Sequence, residues 1–298
     1  MVSLSVITIN FNGVNHTLEM LKSLRHNITG YSFECIVLDN GSANDESVLL
    51  KREFPEFDIF RSDINLGFAG GNNLCIARAK GKYLLFINND TIFQDNSIVD
   101  LISFMDHHSN IGACSPKILF NDPPDTIQFA GFTDISRFTL RNSAKGFMEK
   151  DNGQYDIPEK TFFLHGAAMI FRRDVIDIVG HMPEEYFLYY EEMDWSESVK
   201  RAGFELWYIP ISKVIHKESS SIGAESPQKK YYITRNRLLF AKRNRKRGAF
   251  IIFFIYFLLI ACTKDIIIAI LKGRINIVFS IICGCVDFIN SKYGKRDG

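Results

Sequence analysis

Short apolar runs alternate with stretches of helical spacing through the first third of the chain. The apolar runs that predict strands lie at residues 4–9, 33–38, 58–61 and 83–87. Apolar positions with helical spacing lie at residues 17–24 and 71–79. This order of strand, loop, helix and strand predicts an α/β domain built on a parallel sheet.

The second half continues the pattern after a stretch of mixed loops. Residues 164–171 predict a strand, and a helix follows near residues 173–179. An aromatic and acidic stretch at 186–196 merges into helical spacing, and two more strands are predicted at 206–210 and 213–216.

Polar side chains stand where three of the predicted strands end. They are Asn10, Asp39 and Asp90. Each alone can be a turn former, but ligands of open α/β sheets bind at the carboxyl ends of strands, so the three together indicate a binding site. The first loop lacks GxGxxG, which argues against an NAD enzyme, and the glycine-rich segment 65–73 lacks the GK[ST] ending of a P-loop.

An acidic cluster and one histidine are further candidates. Glu191, Glu192 and Asp194 follow a run of aromatic residues. Carboxylates at a helix N-terminus have a purely structural explanation, whereas aromatic crowding raises a carboxylate's proton affinity, as a general base requires. His216 ends the last predicted strand, before a loop expected at residues 219–223, where both a structural and a functional role stay open.

Charge is distributed unevenly along the chain, although the net charge is only +1. Residues 1–228 carry 20 Lys and Arg against 31 Asp and Glu, and residues 229–298 carry 15 against 3. Nine basic residues and no acidic one lie between Lys229 and Arg247. Such a block attracts an anionic surface. Because the uncharged run Ala249–Cys262 follows it, lipid headgroups rather than nucleic acid are the expected partner.

The length of that apolar run argues against one clean membrane span. Its 14 residues form a helix of about 21 Å, against a hydrocarbon core of about 30 Å. Extension to Leu271 places Lys264 and Asp265 inside. We therefore expect interfacial or re-entrant helices. A soluble helical pair packed on a core or a dimer partner is the alternative.

Two features favour a reducing, cytoplasmic location. The N-terminus shows no basic region followed by an apolar core and cleavage site, which argues against export. The six cysteines form no CxxC pair and are expected to be reduced.

Seven segments in order resemble the inverting glycosyltransferases of family 2, and among them rhamnosyltransferase-like enzymes of bacterial surface polysaccharide synthesis. The resemblance covers about residues 3–245. It implies a GT-A (nucleotide-diphospho-sugar transferase, Rossmann-like) catalytic domain over residues 1–240. The basic and apolar composition predicts membrane-associating helices over residues 241–298. The segments are SVITINFNG, VLDNGS, NLGFAGGNN, LLFINND, HGAAMIFRR, YFLYYEEMDW and VIHKESSSIG followed by YYITRNRLLF.

The resemblance also implies a donor site and a divalent metal, magnesium or manganese. Asp39 matches the residue that accepts a hydrogen bond from a pyrimidine base. Asp90 matches the metal ligand that bridges the donor diphosphate, and His216 a second metal or diphosphate contact. Asn88 is assigned to the ribose or to a metal-bound water. The full set assigned to the nucleotide sugar is Ile9, Asn10, Phe11, Asp39, Asn65, Gly67, Asn88 and Asn89.

For the reaction itself, Glu192 matches the catalytic base, with Glu191 and Asp194 as alternatives. Arg235 and Arg237 are assigned to the diphosphate of a lipid-linked acceptor, or else to lipid headgroups.

The activity implied is transfer of one sugar to a hydroxyl of a polyprenyl-diphosphate-linked glycan at the cytoplasmic face of the membrane. Rhamnose from dTDP-rhamnose is the candidate donor sugar. A UDP-hexose or UDP-hexosamine donor is the nearest alternative. A catalytically silent scaffold is suggested by the two asparagines that precede Asp90. A nucleotidyltransferase is disfavoured because no early glycine- and arginine-rich loop is present.

Overall fold

A computed structural model describes residues 2–217 and 226–296, so the loop expected at residues 219–223 lies outside the described part. The strands are β1 (Leu4–Asn10), β2 (Phe33–Asn40), β3 (Asp58–Ser62), β4 (Tyr83–Ile87), β5 (Thr91–Phe93), β6 (Ile111–Phe120), β7 (Thr126–Phe129), β8 (Glu159–Lys160), β9 (Ala168–Arg172) and β10 (Glu205–His216). Within the described residues all ten belong to one sheet, in the order β3-β2-β1-β4-β9-β6-β10-β5, with β7 beside β6 and β8 beside β10.

Helices connect the strands and then form the C-terminal tail. They are α1 (Val14–Asn27), α2 (Ser47–Glu53), α3 (Gly67–Ile76), α4 (Ser97–Asp106), α5 (Arg173–Val179), α6 (Glu191–Arg201), α7 (Pro227–Asn244), α8 (Arg247–Tyr256), α9 (Thr263–Leu271) and α10 (Ile275–Ile289). A 3₁₀ turn lies at Glu184–Tyr186, and a π-helical segment at Phe257–Cys262 joins α8 to α9.

The first half of the sheet is parallel, as the pattern predicts. β1 pairs in parallel with β2 and β4, and β2 with β3. β9 runs antiparallel between β4 and β6, so the whole sheet is mixed. Alternating residues of the central strands face opposite sides, so Val6 and Leu85 join one core while Ile7 and Phe86 join the other. Helices therefore cover both faces of the sheet, and the ends of the strands are left as the place for a binding site.

Two parts of the sheet differ from the expected elements. The strands expected at 206–210 and 213–216 are one strand, β10, whose register with β6 shifts between Tyr208 and Lys213. Pro210 stands in this interval, where it has no N–H to give to a ladder. β6 occupies a stretch for which no element was predicted, because Ser115, Pro116 and Lys117 interrupt its apolar pattern. Lys117 is nonetheless fully buried, with Asp151 as its ion-pair partner.

The tail forms a longer helix than the uncharged run alone suggests. Residues 247–271 are continuously helical, with a mean hydropathy of 2.4 over an 18-residue window, and by length and composition this helix can cross a membrane. Lys264 and Asp265 lie within it, but Lys230 Nζ of α7 meets Asp265 Oδ2 at 2.5 Å. The cost of that carboxylate in an apolar setting is thus reduced by an ion pair from the preceding helix.

The expected domain boundary at residue 240 falls inside α7. One buried cluster joins Phe163 and Tyr186 of the sheet domain to Phe240 of α7, Phe257 of the tail and Ile281 of α10. The tail helices therefore share a core with the catalytic part, while their other side exposes large apolar residues. These include Ile252, Ile255, Leu259, Ile270, Leu271, Phe279 and Ile289.

Helix α6 depends on one buried indole. The Trp195 ring stacks on Phe171 with centroids 3.9 Å apart, and its Nε1 donates to Gly180 O at 2.8 Å. Trp195→Ala should lower the free energy of unfolding by about 3–5 kcal/mol. Trp195→Phe, which keeps the stacking, should cost only about 1 kcal/mol. Urea unfolding of both variants in detergent, followed by circular dichroism, measures the difference, and equal losses would contradict the importance of the stacked ring.

Candidate active site

Asp90 and His216 meet at the carboxyl edge of the sheet. β5 pairs antiparallel with the end of β10, which sets Thr91 opposite His216. His216 Nε2 consequently lies 3.1 Å from Asp90 Oδ1, and both side chains are almost fully buried. Asn88 Nδ2 also lies 3.3 Å from Nε2. The structure thus brings together three residues that the sequence assigned to the metal and the donor.

The hydrogen bonds of His216 indicate which ring nitrogen carries the hydrogen. The other nitrogen, which faces Asp90, then has the lone pair. Nδ1 lies 2.8 Å from Gln128 Oε1, an acceptor, so Nδ1 carries the hydrogen. On the neutral ring Nε2 then has a lone pair beside a carboxylate oxygen, and the two repel unless a proton or a cation lies between them. A divalent cation fits this nitrogen and oxygen donor pair.

A cation here would need ligands beyond these side chains. No group of three His, Cys, Asp or Glu suited to a metal is found among residues 2–217 and 226–296. Magnesium and manganese sites in nucleotide-binding enzymes commonly use one or two protein groups and complete their shell with phosphates and water. The pair therefore fits a metal that arrives with a diphosphate.

The turn His165–Gly166 links this pair to the acidic cluster. The His165 ring lies 6.3 Å from the His216 ring, centroid to centroid. Burial, together with His216, lowers the pKa of His165 to about 3, so the ring is neutral. A Cβ placed on Gly166 would stand 3.9 Å from Glu192 Cγ. Glu192 thus lies across a single turn from the Asp90–His216 pair.

Glu191 and Glu192 both hold their protons more tightly than ordinary carboxyl groups. Burial raises the pKa of Glu192 to about 7. Burial and the neighbouring Glu192 carboxylate raise the pKa of Glu191 well above its usual range. Adjacent carboxylates resist double ionisation, and Glu192 is half-buried whereas Glu191 is almost fully buried, so Glu192 is the one that loses its proton more readily. Of the two, Glu192 is the available base.

Asp194, the third candidate base, has a structural position instead. Its Oδ2 lies 2.6 Å from Arg243 Nε, and its Oδ1 accepts from Asn244 Nδ2 at 2.6 Å. The carboxylate is almost fully buried and ties α6 to the end of α7. Because both carboxylate oxygens are engaged by Arg243 and Asn244, the structure does not support Asp194 as the base.

The backbone that leads to Glu191 has an unusual conformation. Phe187, Tyr189 and Tyr190 have φ angles of 64°, 68° and 78°, in the left-handed region that non-glycine residues seldom adopt. Such a conformation persists only when its surroundings hold it in place. We call residues 186–190 the strained segment.

Arg235 and Asn236 hold the strained segment, which corrects the expected role of Arg235. Asn236 Nδ2 lies within 2.6–2.9 Å of the carbonyl oxygens of Tyr186, Leu188 and Tyr189. Arg235 Nη2 donates to Tyr186 O at 2.9 Å, and its Nη1 donates to Gly294 O at 2.7 Å. Arg235 is 1% exposed, so its guanidinium is committed to backbone carbonyls and is not presented to an acceptor diphosphate.

Arg237 is directed toward the tail. Its Nη2 donates to Thr139 O at 2.5 Å, and its guanidinium lies 5.8 Å from the Phe253 ring and 5.3 Å from the Phe257 ring. These cation–π contacts fix α7 on the tail. The guanidinium of Arg237, like that of Arg235, is therefore engaged by groups other than the predicted acceptor diphosphate.

Asn10 and Asp39, the polar residues at the ends of β1 and β2, are hydrogen-bonded to the loop that follows β2. Asp39, with no exposed surface, accepts hydrogen bonds from Ser42 N at 3.2 Å and from Arg61 Nη1 at 2.6 Å. Asn10 Nδ2 donates to Glu46 Oε2 at 2.7 Å and is equally buried. Both residues therefore shape the loop here, and direct contact of Asp39 with a base stays a prediction.

Other expected donor residues border this loop. Gly67 has a φ of +75°, and a Cβ there would stand 2.3 Å from Phe187 O, so only glycine lets this turn meet the strained segment. Asn65 Oδ1 accepts from Gly67 N at 2.8 Å. Ile9 is half-buried and Phe11 is 40% exposed, which leaves an apolar surface at the mouth of the loop. Asn89 Nδ2 donates to Thr17 Oγ1 at 2.9 Å.

Several residues of the site carried no usable signal in the sequence. Gln128 is one polar residue in the short strand β7 and touches His216 only through tertiary folding. Asn236 lies in a helix 47 residues after Tyr189, and nothing in its spacing predicts the contact. The only signal for His165 and Asn236 was the family resemblance, whose segments HGAAMIFRR and YYITRNRLLF contain them.

The fold is that of the GT-A glycosyltransferases. The family description Glycosyl transferase family 2 matches residues 5–179, more than half of the chain. The chain belongs to glycosyl transferase family 2.

Relatives in polysaccharide synthesis resemble much of the sequence. The O-antigen biosynthesis protein RfbC of Myxococcus xanthus is 24% identical over 68% of this chain, which spans only 16% of that protein. The N-acetylglucosaminyl-diphospho-decaprenol L-rhamnosyltransferase of Mycobacterium tuberculosis is 22% identical over 74% of this chain and 78% of its own length.

A solved structure shows the same fold at low identity. The mannosyltransferase PcManGT of Pyrobaculum calidifontis, in complex with GDP-Man and Mn²⁺, superposes with a TM-score of 0.61. It is 12% identical, and the match covers 97% of this chain and 87% of that one.

The contacts of Asn236 predict a catalytic effect at a distance. Asn236→Ala removes the donor to three carbonyls of the strained segment, so Glu192 should lose its orientation and the rate of sugar transfer should fall by about tenfold or more. Donor affinity should change little. Asn110→Ala is the matched control, since its amide donates to Glu205 Oε2 at the start of β10, at the opposite end of that strand from His216. Equal transfer rates in the two variants would refute the positioning role.

Proposed function

We propose that this chain is an inverting, metal-dependent transferase that moves one sugar from a nucleotide donor to a hydroxyl of a lipid-linked glycan. The observation that carries the proposal is the placement of Glu192, with its raised pKa, across one turn from the Asp90–His216 pair. A base and a diphosphate-binding centre side by side are what such a transfer needs.

The protein groups account for the proton and for the stereochemistry. Glu192 takes the proton of the acceptor hydroxyl as that oxygen bonds to the anomeric carbon of the donor. The bond from this carbon to the nucleotide diphosphate breaks on the opposite face, so the configuration inverts. Glu191 keeps its proton, which avoids a second negative charge beside the base.

Asp90 and His216 are the residues that would hold the metal. When bound, a divalent cation neutralises charge on the leaving diphosphate. The imidazole favours manganese over magnesium, which prefers oxygen ligands. We assign Asn88, whose amide lies next to this pair, to the ribose or to a metal-bound water.

The donor and acceptor are inferred from the relatives and the tail. A relative named for rhamnosyl transfer to a diphospho-decaprenol glycan supports dTDP-rhamnose as donor and a polyprenyl-diphosphate glycan as acceptor. A UDP-hexose or UDP-hexosamine is the alternative donor. The exposed apolar side of the tail, together with its basic residues, supports attachment to the cytoplasmic face of a membrane.

The metal assignment is testable by binding alone. Asp90→Asn keeps the shape of the side chain but removes the charged ligand, so manganese-dependent donor binding should be lost, as measured by calorimetry with a panel of sugar nucleotides. Asp58→Asn, at the start of β3 and paired with Arg78, is the matched control and should bind like the parent. Parent-like binding by Asp90→Asn would remove Asp90 from the metal site.

The base assignment predicts a change in rate without a change in donor binding. Glu192→Gln cannot accept a proton, so transfer should fall by about 10²–10⁴-fold while donor affinity persists. Glu197→Gln, on the same helix and paired with Lys200, should be nearly neutral. Normal transfer by Glu192→Gln would move the role of base elsewhere.

The raised pKa of Glu192 also predicts the pH profile. The active form is the carboxylate, so the rate should be half-maximal near pH about 7, nearly full about one unit above that value, and lower as the pH drops below it. A solvent-exposed glutamate, whose pKa is about 4.5, would instead keep the protein active until the pH approached that lower value. A rate that stays constant from pH about 8 down to about 5 would contradict the proposed environment of this base.

A further inference from the structure

A cleft opens between the first turn of α7 and the turn that joins α9 to α10. Its volume is about 390 Å³, within the usual range of ligand sites. Lys229 and Lys230 line it from α7, Asp265 from α9, and Lys272 and Arg274 from the turn. None of these residues belongs to the donor site described above.

The charge of this cleft favours an anion. It has four cationic side chains and one carboxylate, and that carboxylate is already paired with Lys230. The cleft lies at the N-terminal end of an 18-residue helix, where the helix dipole also favours negative charge. Cations thus stand on both walls, with Lys229 on one and Lys272 on the other.

The remaining wall is apolar and continues onto the tail. Ile233, Ile268 and Ala269 contribute carbon surface inside the cleft. Beside it, Ile270 and Leu271 are exposed at the end of the tail helix. An anionic head joined to a hydrocarbon chain matches this combination, whereas a nucleotide offers no chain for the apolar wall.

The cleft also borders the segment that carries the base. Lys229 Nζ lies 5.8 Å from the centre of the Tyr189 ring, in the strained segment, two residues before Glu191. A ligand held by Lys229 is therefore close to the backbone that orients Glu192.

We propose that this cleft binds the diphosphate of the lipid-linked acceptor, with the start of its isoprenoid chain along the apolar wall. The inference rests on the proposed function, because it assigns a place to the acceptor of that reaction. In this proposal the cationic residues of the cleft take the role predicted for Arg235 and Arg237, whose guanidinium groups are committed to carbonyls and aromatic rings.

Binding of farnesyl diphosphate to the full-length protein in detergent tests the cleft directly. EDTA is present, so that no metal assists diphosphate binding at Asp90 and His216. Lys229→Ala with Lys272→Ala removes one cation from each wall and should weaken binding by about thirtyfold. Lys246→Ala with Arg247→Ala removes the same charge at the start of α8, away from the cleft, and should leave binding unchanged.

Three results would overturn the proposal. The first is equal affinity of the parent and the Lys229→Ala, Lys272→Ala variant for farnesyl diphosphate. The second is equally tight binding of inorganic diphosphate, which would show an anion site without a lipid component. The third is equal competition by short-chain phosphatidylglycerol, which would make the cleft a general headgroup site. Farnesol, which lacks the diphosphate, should bind at least tenfold more weakly than farnesyl diphosphate.

Transfer kinetics separate this inference from the proposed function. In the Lys229→Ala, Lys272→Ala variant, KM should rise for an acceptor with a lipid diphosphate. It should stay unchanged for the same sugar on an uncharged alkyl chain and for the donor. An equal rise for both acceptors would overturn the cleft assignment. If the parent glycosylates neither acceptor yet binds farnesyl diphosphate through Lys229 and Lys272, the proposed function fails and the cleft is an isoprenoid-diphosphate site but not an acceptor site.

Discussion

The strained segment before α6 is the constraint on which the site depends. Three of its residues adopt left-handed backbone conformations, each with a conformational cost of order 1–3 kcal/mol. Donors from Asn236 and Arg235 satisfy its carbonyls and offset that cost. Phe68 N also donates to Phe187 O at 2.8 Å, which connects the same segment to the glycine-rich turn. The direction in which Glu191 and Glu192 enter the site is set by these contacts.

The contacts of the strained segment also involve the C-terminal tail. Arg235 donates to Gly294 O, and Gly294 N donates to Glu185 O at 2.8 Å, so residues near the end of the tail lie against the strained segment. Phe253 and Phe257 complete a core with Tyr186 and Phe240. An anchor connected by a linker would not need such contacts. The tail is part of the scaffold of the active site as well as the region suited to a membrane surface, so removal of the tail would also expose core.

The sequence predicted local features well and long-range contacts poorly. The parallel half of the sheet follows from apolar runs, and the pairing of Asn10 with Asp39 follows from strand register. Arg235 looked like an anion ligand because charge is visible in a sequence, whereas its burial against carbonyls requires the fold. Gln128 and Asn236 are neutral amides whose importance arises only from distant partners. β6 was missed because a buried lysine and a proline interrupt its apolar run.

The two asparagines before Asp90 have a physical explanation that does not require a silent protein. Thr17 Oγ1 donates its hydrogen to Asn10 Oδ1 at 2.7 Å, so it can only accept from residue 89. The amide of Asn89 donates to it, and an aspartate could not. At residue 88, the amide Nδ2 lies 3.3 Å from His216 Nε2 and can donate to it when no cation is bound there, which an aspartate could not do. Hydrogen bonding in the metal-free site thus favours amides at both positions, while Asp90, the predicted metal ligand, keeps its charge.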